Sequence, residues 1–421
     1  MNTRPVRHLN YLLLILILQF TASCSTNSHD RRGNQSPYST SQLDTVLRYE
    51  LTGSDCPFAE YAEYGIWIPG GEKPIRGIMV LQHGCTMEAF GITKPYDLQF
   101  RAFARKWNLA ILETALHGNC QVWVDPASGS GNALLIILAR AAADASRPEI
   151  AKAPWLMWGH SGGGCWTLAM IRDYPERIRA AVCYSAAFDP QWDYPPEAAR
   201  IPVLLRHTGA TDYPGCDSTA IHAFSKMRAL DGLTSIVFNR GENHNYSSLR
   251  HMMIPFFEGA LKNPRPRRTW LGDTLTFAVF PESRYKGDKA ALCRFPDKSV
   301  AMAWSEYAST NDVADLTAPP SPRRVKVTEM GDSLRVSWMA ESDPESGIRC
   351  FQVYLDGSLA ARLPESGEYQ SFNRNGDNTF PLNPPEMTVV IPRPDLKRYR
   401  ICVESTNQAG LTSRSSILTV R

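Results

Sequence analysis

Several residues in this chain have the types and spacing needed for acyl transfer. Ser161 sits in Gly159-His160-Ser161-Gly162-Gly163, after the apolar run "APWLMW" and before a helical pattern. A serine at the end of a strand in Gly-x-Ser-x-Gly is thrust out on a sharp turn that only small neighbours permit, which accounts for Gly159 and Gly163. Its hydroxyl is a poor nucleophile without a base. Downstream, His222 falls within the helical pattern "STAIHAFSKMRAL" and His251 in or near a later helix, whereas His244 occupies the loop directly after a strand, in "NRGENHNY". His244 is therefore the expected base. The acid that orients it should follow the preceding strand. There "PVLLRHTGATDYPGCD" offers Asp212, after a Gly-x-x-Asp turn, with Asp217 as the alternative. Either aspartate could instead be a plain turn cap. The oxyanion of a tetrahedral intermediate needs backbone donors. These are expected from the N–H of Gly162 and from Cys85, in the loop His83-Gly84-Cys85 after "GIMVLQ".

These residues need a scaffold that delivers them to one place. Short apolar runs bounded by turn residues predict strands at "GIMVLQ" (77–82), "LAILET" (109–114), "PWLMWG" (154–159), "AAVCYS" (180–185), "PVLLRH" (202–207) and "SIVFN" (235–239). Helical patterns between them include 134–145 and 165–173. This alternation predicts an α/β fold built on a mainly parallel sheet, with chemistry in the loops beyond the C-terminal strand ends.

With nucleophile, acid and base in that chain order, residues 56–261 resemble an α/β-hydrolase. The segment "HGCTM" is similar to one in secreted polyester depolymerases and feruloyl esterases of the hydroxybutyrate-depolymerase type. Their nucleophile turn usually carries other residues than "GHSGGG", so the resemblance reaches the superfamily and leaves the subfamily open. It implies a serine esterase with a Ser161–His244–Asp212 triad and no cofactor. No Cys-x-x-Cys, His-Glu-x-x-His or phosphate loop occurs. A serine peptidase of the same fold and a non-catalytic surface adhesin are the rival readings. Only 186–201 separate the strand after the nucleophile helix from the acid's strand, which predicts an open cleft without a lid domain. Trp192, Tyr194 and Tyr213 lie in loops on that face.

The rest of the chain speaks to location and partners. Arg4 and Arg7 precede an apolar run at 12–18 that is too short to span a bilayer, and "TASC" ends at Cys24. Residues 1–24 thus read as a signal peptide of lipoprotein type, with Cys24 as the lipidated residue and Thr21 where leucine is usual. The expected product is an exported protein, anchored to an outer membrane or cell surface or else secreted. Residues 25–44 read as a flexible tether and 45–311 as the hydrolase domain, within which 269–308 has amphipathic stretches. Residues 312–322, "DVADLTAPPSP", read as a proline-rich linker. Beyond it, 323–421 carry short alternating strands with Trp338 and "YRICV", and resemble a fibronectin type III domain. Without Arg4 and Arg7 the net charge falls from +3 to +1, so no basic excess invites nucleic acid. Setting Cys24 aside, nine cysteines remain, one of which must stay unpaired. Cys350 and Cys402 are the expected disulfide, on adjacent strands of the sandwich.

Overall fold

The computed structural model describes residues 46–86, 88, 91–188, 192–244, 249–369 and 386–420. The signal segment, Cys24 and the tether lie outside these residues.

The central sheet has eight strands: β1 (Val46–Thr52), β2 (Tyr61–Trp67), β3 (Gly77–Gln82), β4 (Leu109–His117), β5 (Trp155–His160), β6 (Ile178–Tyr184), β7 (Val203–His207) and β8 (Thr234–Phe238). Their spatial order is β1-β2-β4-β3-β5-β6-β7-β8. The pairs β1/β2 and β2/β4 are antiparallel, and every later pair is parallel. The cause is legible in the runs themselves. The strand interiors of β3 and β5 are buried at every position, as a strand covered on both faces requires. Six strands fall where the apolar runs predict them, to within two residues except that β4 runs three residues further, to His117. Strands β1 and β2, with the mixed sequences "VLRYELT" and "YAEYGIW", are additions at the antiparallel edge.

The helices are α1 (Leu98–Trp107), α2 (Cys120–Trp123), α3 (Ser130–Asp144), α4 (Gly162–Asp173), α5 (Cys216–Ala229), α6 (Leu249–Lys262) and α7 (Lys298–Thr310). Among the described residues no helix is long and apolar enough to cross a membrane. The segment before α7 forms a small sheet of β9 (Trp270–Gly272), β10 (Val279–Pro281) and β11 (Cys293–Phe295). Together with α7 it seals the outer edge of β8: Trp304 Nε1 of α7 donates to the Ile236 carbonyl at 2.9 Å, and the Ile236 N–H donates to Cys293 Sγ of β11 at 3.3 Å. An edge strand satisfied by side chains in this way offers little for another strand to pair with.

The C-terminal strands form two antiparallel sheets. One is β12 (Arg323–Met330), β13 (Ser333–Met339) and β16 (Glu386–Pro392); the other is β15 (Ser358–Leu363), β14 (Cys350–Leu355), β17 (Tyr399–Thr406) and β18 (Thr412–Arg414), with β19 (Leu418–Val420) also on β17. Trp338 and Phe351 meet in the core between them, ring centroids 5.6 Å apart. The expected Cys350–Cys402 disulfide does not form. Cys350 pairs with Thr406, while Cys402 pairs with Tyr354, four positions along β14, and both thiols are free.

The sandwich does not hang freely from its linker. Leu98 of α1 is buried in the sandwich core, and Gln99 Nε2 donates to the Glu345 carbonyl at 3.1 Å. The linker is tied on both sides. Asp312 meets His251 Nδ1 at 2.5 Å, and Asp315 accepts from Asn407 Nδ2 at 2.8 Å.

Candidate active site

Ser161 follows the last residue of β5 and directly precedes α4, with φ 53° and ψ −118°. This backbone conformation is costly for a residue with a side chain, on the order of 1–3 kcal/mol, and persists only where packing over-determines it. Here the packing is provided by absent side chains. A Cβ on Gly159 would lie 2.0 Å from the Gly163 carbonyl oxygen, and one on Gly163 would lie 2.4 Å from that of His83. The glycines let α4, β5 and the loop after β3 close around the serine. A strained serine on a strand-turn-helix elbow, at the C-terminal end of a central strand of this sheet, decides the architecture. The fold is that of an α/β-hydrolase.

No family model matches the chain, and no curated protein matches it. Among solved structures it is similar to the poly(3-hydroxybutyrate) depolymerase LpqC from Bordetella parapertussis, with 15% identity, coverage of 53% of this chain and 88% of that one, and a TM-score of 0.34. It is similar also to poly(aspartic acid) hydrolase-1 from Sphingomonas sp. KT-1, with 13% identity, 52% and 98% coverage and a TM-score of 0.34. A feruloyl esterase module from Clostridium thermocellum gives 12% identity, 50% and 87% coverage and a TM-score of 0.34.

In this fold the loops after β7 and β8 bring Asp212 and His244 together. His244 Nδ1 lies 2.5 Å from Asp212 Oδ1. The second carboxylate oxygen accepts from Ser185 Oγ at 2.7 Å and from the Thr208 N–H at 3.0 Å. Burial alone would raise the Asp212 carboxyl, but hydrogen bonds from His244, Ser185 and Thr208 outweigh it and hold the group well below the ordinary carboxylate range. With Nδ1 donating to Asp212, the other ring nitrogen of His244 is left as the basic one.

The residue before the serine ties this pair to the elbow. His160 Nε2 donates to the His244 carbonyl at 2.9 Å, and the two rings stand 4.7 Å apart. Burial lowers the His160 imidazole to about 3, so it is neutral and keeps one N–H to donate. Arg206 Nη1 holds the preceding carbonyl, that of Asn243, at 3.2 Å.

The loop after β3 reaches the other side of the elbow. A Cβ on Gly162 would stand 3.4 Å from the Cys85 amide nitrogen and 2.5 Å from Cys85 Sγ, so glycine at 162 is what permits the approach. His83 fixes the loop: its Nδ1 bonds the Gly84 carbonyl at 2.5 Å and its Nε2 accepts the Leu116 N–H at 2.9 Å. Turning that carbonyl toward His83 aims the Cys85 N–H the opposite way, because the peptide is planar and trans. A disulfide from Cys85 to Cys120 pins the loop to α2. Gly162 opens α4, where the first N–H groups have no partner within the helix.

Asp217, the alternative acid, is not brought to His244. It lies in the first turn of α5, where its Oδ1 accepts from the Ser218 N–H at 2.8 Å. Tyr213 is exposed, its ring 4.3 Å from that of His244, whereas Trp192 is taken up by the Arg172 guanidinium 4.5 Å from its ring. Asp212, Cys216 and His244 have ligand atoms close enough for a metal. The set does not suit one. His244 Nδ1 and Asp212 already face each other, and burial, aided by the Asp212 charge, pushes the Cys216 thiol far above its ordinary range and so keeps it protonated. Sequence reasoning missed Ser185, Arg206 and Cys120. Arg206 had a signal, a cation inside the apolar run "PVLLRH"; the other two had none.

Proposed function

We propose that the chain is a serine carboxylic-ester hydrolase. The observation that carries this reading is the strained elbow at Ser161 beside a buried carboxylate–imidazole pair. In the proposed cycle Ser161 Oγ attacks the ester carbonyl carbon while His244 takes its proton through the nitrogen not bonded to Asp212. The N–H groups of Gly162 and Cys85 receive the developing oxyanion. Asp212 stays ionised and stabilises the imidazolium that forms. His244 then protonates the leaving alkoxide. Water, deprotonated by the same imidazole, attacks the acyl-enzyme carbonyl, and as the bond to Ser161 Oγ breaks the imidazolium returns the proton to Ser161 and the carboxylic acid is released.

Esters on polymers, whether polysaccharide acyl esters or polyesters, are the proposed substrates. Between β6 and β7 the described residues form only one short helical turn, Pro196–Arg200, which leaves room for a bulky chain. We further propose that the protein is exported and lipidated at Cys24, and that its sandwich is a fibronectin type III-like module.

The test is hydrolysis of a short-chain p-nitrophenyl ester, followed by treatment with a serine-directed phosphonate and peptide mass mapping. Hydrolysis that stops as an adduct forms on Ser161 is the expected result. No turnover, or an adduct elsewhere with Ser161 untouched, overturns the reading.

A further inference from the structure

The two ends of the sheet are chemically unlike. Ser161, Asp212 and His244 follow the C-terminal ends of β5, β7 and β8. At the opposite end, a concavity of about 840 Å³ is lined by six cations: Arg179, Lys262, Arg265, Arg267, Arg268 and Lys298. Arg179 lies at the start of β6, and Lys262 ends α6, which descends from the active-site end. The sole acid in the lining, Asp297, is already committed, accepting from the Val300 N–H at 3.0 Å, Ser299 Oγ at 2.8 Å and Asn263 Nδ2 at 2.6 Å. Among the described residues Arg265, Arg267 and Arg268 form no ion pair, and all three are exposed. Lys262 is paired with Glu258 at 3.4 Å, but the charged form of Arg179 is disfavoured, first by burial and then by Arg265 and Arg76, so positive charge at this end exceeds negative. Trp270, half-buried beneath Lys298 Nζ at 5.7 Å from its ring, adds an amphipathic aromatic of the type that settles at interfaces.

We propose that this basic end docks on an anionic phospholipid surface. Charge complementarity is one argument. The other is where β1 starts: Val46 pairs with Trp67, itself opposite Ile111 near the start of β4, so β1 begins at the same end of the sheet. A surface contacted there leaves Ser161 facing away from it. Clustered cations at the end of the sheet where β1 begins would act, together with the lipidation proposed at Cys24, as the second of the two signals that stable membrane attachment requires.

The experiment uses the full chain carrying Cys24→Ala, so that no acyl group contributes, and measures sedimentation with phosphatidylcholine vesicles and with phosphatidylglycerol-rich vesicles. Binding is expected only to the phosphatidylglycerol vesicles and is expected to fade as salt shortens the reach of the charges. The triple substitution Arg265→Gln, Arg267→Gln, Arg268→Gln should weaken it by about a hundredfold, on the order of fivefold for each cation removed. The corresponding triple lysine variant should retain it. Both variants should hydrolyse a soluble ester at the rate of the parent, which shows that they are folded. Equal binding to both vesicles, phosphatidylglycerol binding untouched by the glutamines, or capture by a soluble polyanionic polysaccharide without vesicle binding would each overturn the proposal.

Discussion

Arg206 and Asp212 share one hydroxyl group. Ser185 Oγ accepts from Arg206 Nη1 at 2.8 Å and donates to Asp212 Oδ2 at 2.7 Å. Behind Arg206, Asn239 Oδ1 accepts from Arg206 Nε at 2.8 Å and from the Tyr307 hydroxyl at 3.2 Å, while Asn239 Nδ2 donates to Asn311 at 2.9 Å. The segment around α7 therefore reaches the His244–Asp212 pair through an unbroken set of hydrogen bonds. Ser185→Ala removes a donor to a buried carboxylate and strands part of a buried guanidinium. It is expected to lower kcat on a small ester by about tenfold or more with KM little changed, since a hydrogen bond to a charged group is worth about 1.5–3 kcal/mol. Wild-type kcat in Ser185→Ala would remove the positioning role.

Ser161→Ala and His244→Ala should each reduce kcat by on the order of 10⁴ or more, with KM little altered, because the members of the proposed triad would act as a unit. Asp212→Asn should cost somewhat less. Asp217→Asn should be nearly silent, since its carboxylate serves the start of α5. Steady-state kinetics on one chromogenic ester compares all four, and a crippled Asp217→Asn beside an active Asp212→Asn would reverse the assignment of the acid.

The Cys85–Cys120 disulfide bridges a sequence separation of 35 residues. Cys120→Ser is expected to lower unfolding stability by about 2–4 kcal/mol. It should also lower kcat, because the loop that carries the Cys85 N–H loses its tie to α2. Urea unfolding and kcat measured on the same preparation check both effects. Unchanged kcat at reduced stability would separate the disulfide from oxyanion binding.

Burial lowers both His83 and His160 to about 3, far beneath the ordinary imidazole value near 6.5. Between those values the unfolded chain binds protons that the folded chain does not. Stability must therefore fall as pH drops from about 6.5 toward 3. His83→Gln, neutral throughout, should show a shallower fall of Tm with pH over this window than the parent. Parallel curves would mean that His83 is not excluded from protonation by the fold.

A chain ending at Leu316 uncovers Leu98 and removes the carbonyl that Gln99 meets. Its Tm is expected to fall below that of the full chain, with full burial of a leucine worth about 1.5–3 kcal/mol. Below that Tm, kcat and KM on a small ester should be retained, because every proposed catalytic residue precedes the linker. Identical melting of the α/β domain in both chains, followed by calorimetry, would show that the contact through α1 contributes nothing.

The sequence by itself determined the parallel sheet and the elbow. Apolar runs covered on both faces can be satisfied only between layers of helices, and a serine amid glycines after such a run has one economical conformation. It determined the order Ser161, Asp212, His244 as well, because loops after strands emerge at one end of a parallel sheet. Tertiary structure alone decided which of Asp212 and Asp217, five positions apart in the segment after β7, meets His244 Nδ1, because that depends on where α5 starts. It decided the pairing of Cys85 with Cys120 and the failure of Cys350 to meet Cys402, since cysteine spacing carries no register. It also decided that Ser185 and Arg206 stand behind the acid. Those contacts join β6, β7, β8 and α7, and a hydrogen bond between residues distant in the chain leaves no periodicity for local reading to detect.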